Sequence, residues 1–301
     1  FMMQNEVLSA QIEELITQAI DTHVHSAPSY FPRLFDDLQL RQDILNSPMT
    51  GVVLKSHGQA TPERAYIGNK LAGREVFFGS ITLNLFNGGI NPIAVEGELL
   101  MGAKIVWFPT IHAANHIKFY GGSNYKNMKT THTLPEIKEG IKIIDKDGKL
   151  LPEVDEVLKA VKKYDACVAT GHMSIEESVL LCRRALALGI KKVVLTHPDF
   201  ETQRVPVALQ SELAKEGVFI EKTALNVRWK SITMADMAKS ILEIGSAHCI
   251  ISTDYGQVTS LPIPQGMREY VADLLNNGIA KEDIEIMLKK NPRKILGFKG
   301  D

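Results

Sequence analysis

Ala19-Ile20-Asp21-Thr22-His23-Val24-His25 is a short apolar run that ends in two histidines. The same pattern returns in Val52-Val53-Leu54-Lys55-Ser56-His57, Cys167-Val168-Ala169-Thr170-Gly171-His172, Val193-Val194-Leu195-Thr196-His197, Val218-Phe219-Ile220-Glu221-Lys222 and Ile250-Ile251-Ser252-Thr253-Asp254. Each is a β-type run closed by a residue that can bind a metal or exchange a proton. Parallel strands bring their C-terminal ends to one face, so in a barrel these endings would converge.

β-type runs fall at roughly 19–24, 51–55, 76–83, 103–108, 166–170, 192–196, 217–222 and 248–253. Helical patterns separate or follow them at about 36–46, 62–73, 92–101, 152–164, 174–189, 205–216, 233–245 and 266–290. Leu8, Ile12, Leu15 and Ile16 add a helical stripe at the start. Thr61 before Pro62, Asn91 before Pro92, and Ser174 with Glu177 as a capping box mark helix starts. Gly102, Gly189 and Gly217 stand where helices should end. The alternation predicts an α/β fold, a TIM-type (β/α)8 barrel forming one domain over 1–301. A doubly wound open sheet is the rival, but the count of eight favours the barrel, and no GxGxxG follows the first run. The connection after the fourth run is long. Residues 111–150 hold His112, His116, Tyr120-Gly121-Gly122, Tyr125 and His132, and apolar flanks around Asp147-Gly148 read as a small β-hairpin. This insertion is expected to cover the active site as a lid.

At 301 residues and 45% hydrophobic, the chain can bury a large core. A formal net charge of −1 gives no argument for nucleic acid or an anionic membrane as partner. No apolar run reaches the ~18 residues of a membrane span. Glu6, Glu13 and Glu14 do not suit a signal peptide. Cys167, Cys182 and Cys249 are an odd set without CxxC spacing. Two of them lie in apolar runs, so buried thiols and a cytoplasmic protein are expected. Nothing in the sequence fixes an oligomeric state.

His23 and His25, two apart on a strand, point to one side and can reach one metal. Asp21 is placed to orient one of them. His172 and His197 offer further nitrogens, and Asp254 a carboxylate. Taken singly, a structural histidine or a turn aspartate explains each of these about as well. Their joint placement at the ends of runs one, five, six and eight is what points to a site.

HxH after the first run, His after the fifth, His after the sixth and Asp after the eighth make the chain resemble the amidohydrolase superfamily of metal-dependent barrel enzymes, from His23 to Asp254. The resemblance implies a divalent metal, commonly zinc, bound by His23, His25 and Asp254. His172 and His197 would be further ligands, or one would polarise the substrate. Asp254 would also be the general base. Zinc lowers the pKa of bound water to about 7, where a carboxylate can take the proton.

One departure stands out. Binuclear members usually carry a bridging Lys or Glu at the end of the fourth strand, whereas Lys104 opens the run Lys104-Ile105-Val106-Trp107-Phe108-Pro109-Thr110. One ion is therefore favoured, with Lys55, His57, His112 and His116 as candidates to replace the bridge if there are two. Lys55 reads first as a barrel-mouth cation for a substrate carboxylate. Arg33 reads as a second such cation or as a solvated loop residue. His112 and His116 read as lid residues, and His132 and His248 as structural or surface ones. Glu221 and Lys222 read as a barrel-mouth ion pair, with Glu221 not a ligand. Trp107 and Phe108 read as core.

The leading expectation is a hydrolase that uses a metal-bound hydroxide on an amide, lactone or related ester of a small molecule, with His172 or His197 stabilising the oxyanion. The alternatives are a mononuclear decarboxylase, with Arg33 and Lys55 holding the carboxylate, and a metal-binding barrel without turnover. A histidine-rich phosphoesterase barrel ranks below these, since its extra Asp and Glu ligands are not apparent. Specificity would lie in loops 26–36, 111–150 and 255–266.

Overall fold

In the computed structural model, which describes residues 2–130 and 132–299, the β-type runs become β1 (Ile20–Val24), β2 (Gly51–Leu54), β3 (Phe77–Phe78), β4 (Ser80–Thr82), β5 (Ile105–Trp107), β6 (Cys167–Ala169), β7 (Val193–Leu195), β8 (Phe219–Thr223) and β9 (Cys249–Ser252). Pairing is parallel between neighbours, β1-β2-β3 and then β4 through β9 in order. β3 and β4 are one stave interrupted at Gly79, where a Cβ would lie 2.6 Å from the Cα of Pro62. Lys104 N donates to Gly79 O at 2.8 Å and carries the pairing across the break. At the seam, Val24 and Tyr255 form a parallel bridge. Asp254 N donates to His23 O at 2.9 Å there, and His25 N to Tyr255 O at 2.8 Å. Eight staves with helices outside make the expected (β/α)8 barrel.

Strand alternation sorts the apolar residues into two layers. Ile20, Val53, Phe78, Ile105, Trp107 and Val194 belong to the cluster that fills the barrel. Val52, Leu54, Val106, Val168, Leu195 and Ile251 belong to the one shared with the helices. The free thiols Cys167, Cys182 and Cys249 are buried.

Helices Asp37–Leu45, Pro62–Ala72, Pro92–Leu100, Pro152–Lys163, Ile175–Ala187, Val207–Glu216 and Met234–Ile244 lie where the periodicity puts them. The expected single helix over 266–290 is instead Ile263–Asn276, Lys281–Glu285 and a π turn at Ile286–Lys290. Gly278, at φ 84, ends the first of these. Asn91 caps its helix as expected. Thr61 does not: its hydroxyl donates to Leu54 O at 2.7 Å and so fastens a helix start to β2. Ser174 accepts from Glu177 N, but the Glu177 carboxylate turns to Ser174 Oγ at 2.9 Å and Ile143 N at 2.8 Å rather than completing the capping box. Within 111–150 the chain forms an unforeseen helix, Ala114–Tyr120. The hairpin is reduced to one antiparallel bridge, Ile144 with Leu150. No helix among the described residues is long and apolar enough to cross a membrane.

Candidate metal centre

β1 is irregular, and the irregularity aims its histidines. Asp21 pairs with Val52 but Val24 with Leu54, so β1 takes three steps where β2 takes two. Ile20 faces the barrel interior, and an unbroken period of two would keep His23 turned away from it. The bulge lets His23 face inward, its ring centroid 4.9 Å from that of Trp107. Asp254 comes from the opposite side of the seam with φ 57, a left-handed conformation that costs an aspartate energy. Two residues on, Gly256 sits at φ 136, and a Cβ there would meet His25 O at 1.9 Å. Only glycine lets this loop lie against β1.

Asp254 Oδ1 lies 3.1 Å from Nε2 of both His23 and His25. The ligand atoms of His23, His25 and Asp254 all fall within 4.8 Å of one another. Glu221 Oε2 accepts from His23 Nδ1 at 3.0 Å, so a neutral His23 has a bare Nε2 facing a carboxylate oxygen. Burial lowers the His23 pKa, but Asp254 and Glu221 outweigh it and raise it above the ordinary value. Burial raises the carboxyl pKa values of Asp254 and Glu221. The histidines beside them outweigh it and hold both below the usual range, Asp254 well below.

A second pair can be assigned the same way. The Gln203 side-chain nitrogen donates to Gly171 O and Thr196 O, at 3.1 and 3.3 Å, so its Oε1 faces His197 Nδ1 at 3.1 Å and accepts from it. His116 Nε2 donates to Asn124 O at 3.1 Å. Neutral His116 therefore accepts at Nδ1, and the donor is His172 Nδ1, 3.0 Å away. Both remaining nitrogens, His172 Nε2 and His197 Nε2, are bare, and they stand 3.2 Å apart. Two lone pairs at that distance repel unless a cation lies between them. A proton is a poor candidate: burial lowers the His197 pKa to about 4 and, helped by nearby basic groups, holds His172 well below its ordinary value. A divalent ion fits the donors, since imidazole nitrogens and carboxylate oxygens suit zinc and several other metals. His197 Nε2 is 4.0 Å from Asp254 Oδ2, so the two clusters adjoin.

Residues 18–221 match a family of unknown function, DUF6282. The chain belongs to DUF6282. Comparison with curated proteins finds no match. Among solved structures, an amidohydrolase from Pseudomonas aeruginosa is similar at TM-score 0.64 and 14% identity, over 96% of this chain and 98% of that one. The probable dipeptidase PvdM from the same organism gives TM-score 0.62 and 13% identity, over 97% and 98%. A probable 2-pyrone-4,6-dicarboxylic acid hydrolase from Acinetobacter baumannii gives 0.53 and 13%, over 93% and 100%. At these identities the likeness is one of fold.

In this DUF6282 chain several residues lie elsewhere than the sequence suggests. Glu221 and Lys222 form no mouth ion pair, because adjacent strand residues face opposite ways. Glu221 turns inward to His23, whereas Lys222 turns out to Asp199 Oδ2 at 2.8 Å. Asp21 orients no imidazole: it accepts from His23 N, Thr253 N and Thr253 Oγ1 and so ties the barrel seam. Lys55 is buried within the cluster rather than at the mouth, its Nζ 3.1 Å from His23 Nε2 and 4.7 Å above the Trp107 ring. Burial lowers its pKa to about 8. His57 is also inside, bonded to Thr110 Oγ1 at 2.8 Å and Tyr125 Oη at 3.1 Å. His112 stands outside the cavity and accepts from Leu85 N at 3.0 Å. His116 lies within the insertion and is buried against His172. His132 is exposed and His248 partly so, and Phe108 is core.

Arg33, Lys55, Tyr125, Phe200, Trp229 and Gln257 surround the histidines and Asp254, leaving a free volume of only about 10 Å³. Phe31, Ile111, Tyr125, Met128 and Phe200 form an apolar cap of their own. Arg33 donates to Ser29 Oγ at 3.2 Å and, among the described residues, forms no ion pair, so its charge is left for something else in the cavity. Glu221 and Gln203 are the site residues that the sequence reading did not assign, and His116, weighed there as a bridge or lid residue, stands instead behind His172. For Glu221, the inward register of β8 was the available signal.

Proposed function

We propose that this chain is a metal-dependent hydrolase of the amidohydrolase type, cleaving an amide, lactone or related ester of a small molecule. The observation that carries the reading is the facing pair of bare nitrogens on His172 and His197 beside His23, His25 and Asp254. The amidohydrolase, probable dipeptidase and probable hydrolase among the similar folds support it. His23, His25, His172, His197 and Asp254 would hold the ion, and zinc suits this donor set. Bound there, a divalent ion supplies Lewis acidity to a carbonyl and makes water nucleophilic near neutral pH.

The chain's own groups do the rest. Asp254 Oδ1 is engaged with His23 and His25, which leaves Oδ2 to take a proton from the attacking water. Glu221 fixes the His23 ring. Arg33 offers its fork to an anionic group of the substrate. The apolar cap, with Tyr125 and Met128 drawn from the insertion, acts as a lid that keeps bulk water out and must move to admit substrate. The three buried thiols suit a reducing cytoplasm.

A second reading, a decarboxylase, is favoured by Arg33 and Lys55 lining one cavity. Elemental analysis of the purified protein, followed by a panel of amides, lactones, esters and carboxylic acids, separates the two. Hydrolysis that disappears in Asp254→Asn supports the proposal. Carbon dioxide release without water consumption establishes the decarboxylase instead. Retained metal with no product from any class leaves a metal-binding barrel, and a protein that takes up no divalent ion overturns all three.

A further inference from the structure

We infer that His116 is a positioning residue for the metal centre: it holds His172 in the tautomer that presents Nε2 to an ion, and so makes loading of the centre and ordering of the insertion depend on each other. The inference rests on the metal reading above.

His116 lies on the helix Ala114–Tyr120 of the insertion, fully buried, its ring stacked on His172 with centroids 5.1 Å apart. Both its nitrogens are used, Nε2 on Asn124 O and Nδ1 on His172. Asn124 belongs to the same insertion. Asn115, the residue before His116, donates to His172 O at 3.1 Å and Thr202 O at 3.0 Å, so the helix grips the backbone of the same histidine. The insertion therefore supports His172 by ring and by main chain at once.

The chemistry turns on which nitrogen of His172 carries the hydrogen. With His116 accepting, the hydrogen sits on Nδ1 and Nε2 is bare. Without an acceptor there, the Nδ1 hydrogen would be buried and unpaired, which is unfavourable. The other tautomer would then win, because its Nε2 hydrogen can bond to His197 Nε2 across the 3.2 Å gap. The two nitrogens that should chelate an ion would close on each other. His116 thus decides whether the pair is a metal chelate or a hydrogen bond. The coupling runs both ways: an ion that demands bare Nε2 also favours the insertion in the position that supplies His116.

The test compares zinc affinity, by chelator competition, in the wild type, His116→Leu and His116→Asn, with circular dichroism to confirm folding. Asn keeps an acceptor oxygen where Nδ1 stood, and Leu does not. His116→Leu should bind zinc about 10–100-fold more weakly, the usual cost of removing a group that orients a ligand. His116→Asn should remain close to wild type. In hydrogen exchange, zinc should protect amides of 114–125 in the wild type and not in His116→Leu. Equal affinity in all three proteins, or equal loss in both variants, overturns the inference while the metal reading stands. A folded wild type that binds no zinc overturns the metal reading, and the inference with it.

Discussion

Replacing Lys222 by methionine tests the scaffold that carries His197. Lys222 is wholly buried on the outward face of β8. Its ammonium donates to Asp199 Oδ2 at 2.8 Å, Gln210 Oε1 at 2.7 Å and Ser240 Oγ at 2.9 Å, which uses all three of its hydrogens. Asp199 keeps one other side-chain partner, Gln210 Nε2 at 2.9 Å. Methionine fills nearly the same volume, so packing loss is a small part of the cost. The larger part is a buried carboxylate without its counter-charge, about 3–5 kcal/mol. That is a large share of the ~5–15 kcal/mol that holds a typical domain together. Adding Asp199→Asn to Lys222→Met removes the stranded charge and should recover roughly 1–3 kcal/mol, the usual coupling between contacting residues. Urea unfolding followed by circular dichroism, with chelator present so that metal does not contribute, reads both numbers, and the slope against urea should not change. Because Asp199 follows His197 by two residues, Lys222→Met should also weaken zinc binding. A loss below ~1 kcal/mol, with the double variant no more stable than the single, would refute the idea that this buried ion pair braces the loop.

Asp254→Asn should fold normally by circular dichroism yet lose about 10²–10⁴-fold in turnover, the contribution of a positioned proton acceptor. Turnover near wild type would remove Asp254 from that role. Glu221→Gln should weaken zinc about 10–100-fold in chelator competition by loosening the His23 ring, and an unchanged affinity would show that Glu221 is only packing. In Gly256→Ala the new Cβ would collide with His25 O, and φ 136 does not suit alanine. At least ~1–3 kcal/mol should be lost in urea unfolding, and full stability would mean that the seam loop relaxes freely. Zinc at a hundred times its dissociation constant should stabilise the wild type by about 2.7 kcal/mol, seen as a higher Tm than in chelator. No difference in Tm would contradict a site built in the native state.

The barrel was readable because its rule is simple. Parallel strands buried on both faces must be short apolar runs, and helices must separate them. The positions of His23, His25, His172, His197 and Asp254 follow from the same rule, since each stands near or just past the C-terminal end of a strand. What the sequence hides are choices made by register and tautomer. Glu221 and Lys222 read as a pair in one dimension, but β8 sends one to His23 and the other to Asp199. The bulge in β1 leaves no mark in the letters Asp21-Thr22-His23-Val24, although it turns His23 inward. His116 looked like one more lid histidine because its partner, His172, is distant in sequence and meets it only when the insertion folds back.

The site is held through its main chain. His197 has φ 20 and Asp254 has φ 57, conformations that a sequence without glycine at those places does not announce. Neither residue would rest there alone. His197 N donates to the Glu221 carboxylate, and Asp254 N donates to His23 O across the seam. Each strained residue is thus anchored through its backbone to a residue that contacts its side chain's neighbours. Glu221 orients the His23 ring while fixing the His197 main chain, and β1 supplies both His23 Nε2 and the carbonyl that holds Asp254. A change at Glu221 should therefore disturb two donors in one step. This is why Glu221, which the sequence reading set aside as a ligand, is the better single residue for testing whether these histidines act as one centre.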